Sequence, residues 1–303
     1  MTTNSTPRIL IFGNANVDLV MGEIDRWPKV GTEVQMSRSE MRAGGSAGNS
    51  SLALSGLEVP HRYISTIGTD VNGKWLKGEF DPACCDWIET DDATTLTVGI
   101  VHKGGDRAFF TTPGHLLTAD ATSLIDRIPN APEGVAIALI SGQFLMPELC
   151  KGVADLMKAL SAKGWETAID PGWPPQGWDD TAKGYLREWL ALCDYALLND
   201  EELRAAVNEK DEERAGVRLG EKMKAHSHLI IKRGPRGAIA LTGGERYERI
   251  APPVTVIDTV GAGDTFNAAF IAKLTEGEGM GNALQAGVST ASRVISTYPR
   301  SYK

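Results

Sequence analysis

The stretch Asp258–Phe266, DTVGAGDTF, sets a carboxylate directly after two glycines. It lies where an extended, β-branched run (Val254, Val256, Ile257) gives way to helical spacing at Phe266, Ala269, Phe270 and Leu274. The first amides of a helix lack intrahelical acceptors, and the helix dipole adds partial positive charge there. Glycines at 261 and 263 let an anion approach those amides with no Cβ in the way. Asp264 then sits beside the anion, able to accept a proton from an attacking hydroxyl. Amides that hold a phosphoryl group, with a base next to them, meet the needs of phosphoryl transfer to an alcohol. The plainer alternative is a tight glycine turn with Asp264 as a helix cap. A bare GxGD would favour that alternative; the full string is far more specific.

This segment resembles the C-terminal signature of the ribokinase-like (PfkB-type) carbohydrate kinases. The resemblance implies that Gly261, Ala262 and Gly263 form an anion hole and that Asp264 is the catalytic base. It also implies ATP with Mg²⁺, a monovalent cation such as K⁺ at Asp258, and a sugar substrate.

Three further segments follow in the family's order. Ala43–Asn49, AGGSAGN, resembles the N-terminal signature, a glycine pair and then an asparagine opening a helix. Gly44 and Gly45 allow backbone to approach a polyol, and Asn49 both donates to and accepts from hydroxyls. A helix-capping turn is the plain alternative. The family usually has glycine nine residues after this asparagine; here Glu58 stands there, while the spacing to Gly68 and Asp70 is kept. GNANVDLV resembles a strand-end G-x-x-N-x-D, which places Asp18 on substrate hydroxyls with Asn14 and Asn16 close by. No G-x-G-x-x-G dinucleotide loop occurs there. Asn199–Glu202, NDEE, resembles an N-x-x-E element that organises magnesium and phosphate, with Asn199 on the nucleotide side and Glu202 acting on Mg²⁺ through water. An acidic first helical turn needs no metal, so this element alone is weak. Lys232–Gly237, KRGPRG, resembles the nucleotide-side turn, with Gly234 and Gly237 at its glycines and Lys232 either on phosphate or merely exposed. Adenine is expected between this turn and the last helix, about 282–296.

Apolar runs begin at Arg8–Gly13, Tyr63–Ile67, Val135, Glu166, Tyr195 and His228, and helical patterns separate the later ones. In the helix after the Val135 run, Leu149, Val153, Leu156, Met157 and Leu160 share a face. Strands alternating with helices predict an α/β fold with a mostly parallel sheet covered on both faces. A helix is expected over Ala47–Leu57. The charged run Glu209–Arg214 reads as a solvated helix start. Two segments, about 17–41 and 96–112, break the alternation. The second reads as a hairpin turning at Lys103–Asp106. With the resemblance they imply a small β lid on one ribokinase-like domain spanning 1–303, and lids that pair in a homodimer.

The chain has 303 residues, 42% hydrophobic, with a net charge of -8, which argues against a general nucleic-acid or membrane-surface binder. Four cysteines without metal-ligand spacing read as reduced thiols of a cytoplasmic protein. No run approaches the roughly 20 apolar residues of a membrane span, and the N-terminus lacks a signal-peptide pattern.

Within the same chemistry, a nucleoside kinase would need a stacking surface. Trp27, Phe109 and Phe110 are candidates, with core packing the plainer role. A phosphosugar or sugar acid would need a cation, for which Arg42, Lys103 and Arg107 are available; Arg107 lies in a GDR turn that resembles a substrate-side element of sugar kinases. A different class is a sugar or nucleotide sensor without activity, against which the intact Gly261–Asp264 string argues. The sequence offers no account of the segment DPGWPPQGW, 170–178.

Overall fold

The computed structural model describes residues 6–103 and 107–298; the side chain of Arg107 and the turn residues 104–106 lie outside this description. The strand Ile9–Gly13 (β1) is buried along its whole length, and its side chains alternate between two cores. Leu10 and Phe12 face one, Ile9 and Ile11 the other, as the two-residue period of a strand requires.

Around β1 a sheet of nine strands forms. Parallel to it lie Arg62–Gly68 (β4) and Cys85–Thr90 (β5) on one side. On the other side run Ile137–Ser141 (β8), Glu166–Asp170 (β9), Tyr195–Asn199 (β10) and His228–Lys232 (β11). Ala238–Thr242 (β12) and Glu245–Arg249 (β13) then turn back antiparallel at the edge. The first core is closed by Ala121–Ile125 (α3), Pro147–Ala162 (α4), Asp180–Leu190 (α5), Asp200–Val207 (α6) and Glu212–Gly220 (α7). The second is closed by Ser46–Gly56 (α1), Val71–Gly78 (α2), Ala262–Thr275 (α8) and Met280–Ile295 (α9). The shared face of α4 is buried as its periodicity predicts.

The two irregular segments form a separate four-stranded sheet from Asn16–Ile24 (β2), Arg38–Gly44 (β3), Leu96–His102 (β6) and Arg107–Thr111 (β7), in the order β3-β2-β6-β7. Trp27, Phe109 and Phe110 are each more than half exposed on it, so core packing is not their role. A single sheet with no helical layer over it leaves such side chains in solvent. Asp70 anchors this sheet to β4. Its carboxylate caps α2 through the Gly73 amide at 2.8 Å and accepts both the Thr94 amide at 3.0 Å and the Thr94 hydroxyl at 2.6 Å, just before β6.

The extended run with Val254, Val256 and Ile257 pairs with no strand among the described residues, and all three side chains are exposed. The hairpin β12–β13 was not anticipated: Ala238, Ile239 and Ala240 of β12 are buried against both cores, but the run is short, and β13 sets Tyr247 among Glu245, Glu248 and Arg249 with no continuous apolar run.

Candidate active site

The C-terminal ends of β1, β8, β9, β10 and β11 point to one edge of the large sheet, where α1 and α8 also begin. Gly261 precedes α8 in the left-handed conformation, φ 71°, which favours glycine. Within this turn the Val260 amide donates to Asp258 Oδ1 at 2.9 Å and the Ala262 amide to the Thr259 carbonyl at 3.2 Å. The amides of Gly261 and Gly263 have no such acceptor among the described residues, so they, and not that of Ala262, are the turn's outward donors.

Asp264 is partly buried in the first turn of α8. Asn49 Nδ2 donates to its Oδ2 at 2.9 Å, and the Ser50 hydroxyl donates to its carbonyl at 3.3 Å. The approach is close because α1, SAGNSSLALSG, carries small side chains on the face toward α8. The first glycine signature and the last are therefore in contact.

Asp18 lies on β2, opposite Arg42 of β3. Asn16 Nδ2 donates to Asp18 Oδ1 at 2.6 Å, and Asn14 Nδ2 to Asn16 Oδ1 at 3.3 Å. Gly44 is required here: a Cβ would stand 2.2 Å from Asp18 Oδ2. A Cβ on Gly45, φ 91°, would stand 2.4 Å from the Asn14 carbonyl. Burial pushes the Asp18 carboxyl up to about 6, against the Asn16 hydrogen bond and the charge of Arg42. Asn16, Asp18, Gly44, Gly45 and Asn49 thus gather on one side of Asp264. Arg107 lies on β7, the far edge of the second sheet, and its side chain is outside the described residues.

On the other side of the turn a cleft of about 120 Å³ opens. Gly234, Gly237 and Lys232 line it with Gly263, and Phe266, Val288 and Ile295 give it an apolar wall suited to a flat ring. It lies between the KRGPRG turn and α9. Gly237, φ 87°, leaves no room for a Cβ, which would meet the Arg249 carbonyl at 1.9 Å.

Asn199 and Glu202 form a reciprocal capping box at the start of α6, each bond 2.8 Å. Both residues thus have a structural task before any ligand is considered. Sequence reasoning gave no role to two neighbours, Asp170 and Asn267, that Lys232 joins. Lys232 Nζ donates to Asp170 Oδ2 at 2.6 Å and to Asn267 Oδ1 at 3.3 Å, and Asn267 Nδ2 donates to Asp170 Oδ2 at 2.6 Å. Lys232 is not a surface lysine. Burial alone would lower its ammonium, but Asp170 and Glu202 outweigh burial and hold it above the ordinary lysine value. Burial and then Asp170 push Glu202 up to about 7. Asp170 opens the unexplained DPGWPPQGW segment, and that position at a strand end was the available signal. The rest of the segment seals an aromatic cluster, with Trp178 edge-on to Phe144 at 5.8 Å and to Trp173 at 6.3 Å.

Asp258 is ion-paired with Arg42, which also binds Glu40 at 2.6 Å. A monovalent cation at Asp258 would have to share that carboxylate with a guanidinium, so the residues present do not fit the ion. For Mg²⁺, Asp170 and Glu202 are oxygen donors beside the turn, but Asp170 is itself paired with Lys232, so both would reach an ion only through water. No cluster of three or more metal-ligating side chains occurs among the described residues. That suits an ion held mainly by phosphate and water.

Residues 6–299 match the model of the pfkB family carbohydrate kinases. The chain belongs to this family. It is an enzyme that transfers a phosphoryl group to an alcohol group of a sugar. An ATP-dependent ribose-1-phosphate kinase of Halopiger xanaduensis is 31% identical over 278 residues, covering 89% of this chain and 86% of that one. A ribokinase of Arabidopsis thaliana is 24% identical over 95% of this chain and 76% of its own. The structure of Arabidopsis thaliana ribokinase complexed with ribose and ATP superposes with a TM-score of 0.76 at 20% identity, over 97% of this kinase and 94% of that chain. Phosphofructokinase-2 of Escherichia coli in complex with fructose-6-phosphate gives 0.78 at 20% identity, over 96% and 94%. The kinase therefore has the ribokinase fold. None of its described helices is long and apolar enough to cross a membrane.

Proposed function

We propose that this chain is an ATP-dependent carbohydrate kinase whose acceptor is a neutral sugar. The contact between Asn49 and Asp264 carries the reading, because it sets the sugar-side and phosphate-side signatures against one carboxylate. ATP lies with its base in the cleft between the Gly234–Gly237 turn and α9, and with its phosphates over the start of α8. Asn199 and Lys232 border the phosphates. Mg²⁺ bound with ATP would neutralise phosphate charge, and Glu202 and Asp170 are the carboxylates that would hold it through water. Asp18, Asn16, Gly44, Gly45 and Asn49 hold the sugar. Asp264 accepts the proton of the attacking hydroxyl while the Gly261 and Gly263 amides hold the transferred group.

Charge supports a neutral acceptor. Arg42 is committed to Asp258 and Glu40, and Lys103 is exposed and pairs with Asp25 at 3.4 Å. A sugar phosphate or sugar acid is the second reading. The Halopiger relative's name favours it, and Arg107 would have to supply the cation. The second sheet acts as a lid that excludes water during transfer. Its exposed Met41, Phe109 and Phe110 support pairing with the lid of a second copy in a homodimer. Cys84, Cys85, Cys150 and Cys193 are unpaired, which supports a cytoplasmic setting.

The test is release of ADP from ATP, coupled to an optical assay, across sugars, sugar phosphates, sugar acids and nucleosides. Turnover best with an unphosphorylated sugar is expected. Preference for a phosphorylated sugar would replace the first reading with the second, and turnover with nucleosides alone, or with nothing, would overturn both.

A further inference from the structure

We infer that Arg42 is the resident cation of the anion-hole turn, taking the place of a monovalent metal ion and tying the second sheet to that turn. The inference rests on the reading of residues 258–264 as the anion hole.

Both oxygens of Asp258 are engaged. Oδ1 accepts the Val260 amide at 2.9 Å, and Oδ2 is ion-paired with Arg42 Nη1. The pair is largely shielded, with side-chain exposures of 23% and 19%. Arg42 reaches it from β3, 216 positions away in sequence. Hydrogen bonding to Glu40 and Asp258 holds the guanidinium above even the ordinary arginine value, against the effect of burial. Among the described residues, Arg42 is also the one positive side chain lining a cleft of about 350 Å³ that carries Glu40, Glu79 and Asp258. Without it, three carboxylates would face this space and attract a small cation.

The location gives the contact a task. Arg42 is the ladder partner of Asp18, and its charge also acts on that carboxylate. Gly44, two residues further along β3, packs against Asp18. When β3 lies against Asp18 and the bound sugar, Arg42 reaches Asp258, and Asp258 holds Val260 and so the course of the chain into Gly261. Arg42 is a positioning residue that links an occupied sugar side to a formed anion hole.

The test compares turnover and thermal unfolding with tetramethylammonium or with K⁺ as the cation. In the wild type, K⁺ should change neither. Arg42→Ala should lose at least about tenfold in kcat without K⁺, and K⁺ or methylguanidinium should restore part of that loss. K⁺ should also raise its unfolding midpoint by about 2–4 °C. Arg42→Lys should retain most activity without K⁺. Asp258→Asn, which preserves an acceptor for Val260, should show no response to K⁺, and the wild-type response to K⁺ together with the activity of Arg42→Lys decides the matter if Arg42→Ala fails to fold. Activation of the wild type by K⁺, or full turnover of Arg42→Ala without it, would overturn the inference. The unfolding measurements need no acceptor, so they stand even if the acceptor panel fails.

Discussion

Asn49 Nδ2 donates to Asp264 Oδ2 at 2.9 Å, joining residues 215 positions apart across the start of two helices. The bond fixes the plane of the carboxylate and so the direction from which it meets a hydroxyl. Asp264→Asn should lower kcat at least about 10²-fold with little change in unfolding midpoint. Asn49→Ala should lower kcat by about tenfold, since a misdirected base still removes a proton, only less often in the right geometry. The double variant should lose little more than Asp264→Asn alone, because both act through one carboxylate. Near-normal turnover of Asp264→Asn would remove the base assignment, and additive losses would remove the coupling.

A second group of charges is tied together by Lys232. Lys232→Met would leave Asp170 and Glu202 buried with no counter-charge, although Asn267 still donates to Asp170. Breaking one side of a buried pair costs about 3–5 kcal/mol. Urea denaturation at alkaline pH should show a loss of that size, shrinking toward neutral pH and below because Glu202, raised to about 7 even beside Lys232, takes up a proton. A loss under about 1 kcal/mol would mean that the pair is better solvated than its burial implies.

The legibility of the chain follows from the range of its interactions. The alternating buried strands from Val135 to Lys232 could be read directly, because each must be apolar on both faces to lie between two helical layers. Asp264 and the flanking glycines could be read because their geometry is local. Asp170 could not, since a single aspartate at a strand end carries no periodicity, and its partners Lys232 and Asn267 are brought to it only by tertiary folding. The Arg42–Asp258 pair was hidden for the same reason: both residues were noted separately, one as a phosphate-binding cation and the other as a metal ligand, and neither role foretells the other.

Glu58 shows a local departure whose physical meaning needed the backbone. It is the left-handed residue after α1, φ 60°. Its amide donates to the Ser55 carbonyl at 3.0 Å, and the Val59 amide to the Leu54 carbonyl at 2.9 Å. This is a Schellman stop, where glycine is favoured because a Cβ is strained in that conformation. Glu58 is exposed, so replacing it removes no core packing. Glu58→Gly should therefore stabilise the protein by about 0.5–1 kcal/mol despite the added freedom of the unfolded chain. Chemical denaturation with an unchanged slope checks this, and a lower midpoint would mean that contacts of the Glu58 side chain outweigh the strain.

Asp18 gives the sugar side a pH dependence of definite sign. Its folded value of about 6 lies above the ordinary 3.8, so the folded protein holds an extra proton between those values. The contribution of Asp18 to stability therefore declines as pH rises from 3.8 through about 6. Acceptor binding has the opposite dependence. Sugar hydroxyls donate more strongly to the carboxylate than to the acid, so binding favours the charged form and releases a proton. The KM for the acceptor should rise as pH falls below about 6, approaching about tenfold per unit. Asp18→Asn should bind the acceptor weakly and with a flat KM over that range, while any change in kcat with pH persists because it belongs to other groups. A wild-type KM that stays constant through pH 6 would place the sugar away from Asp18.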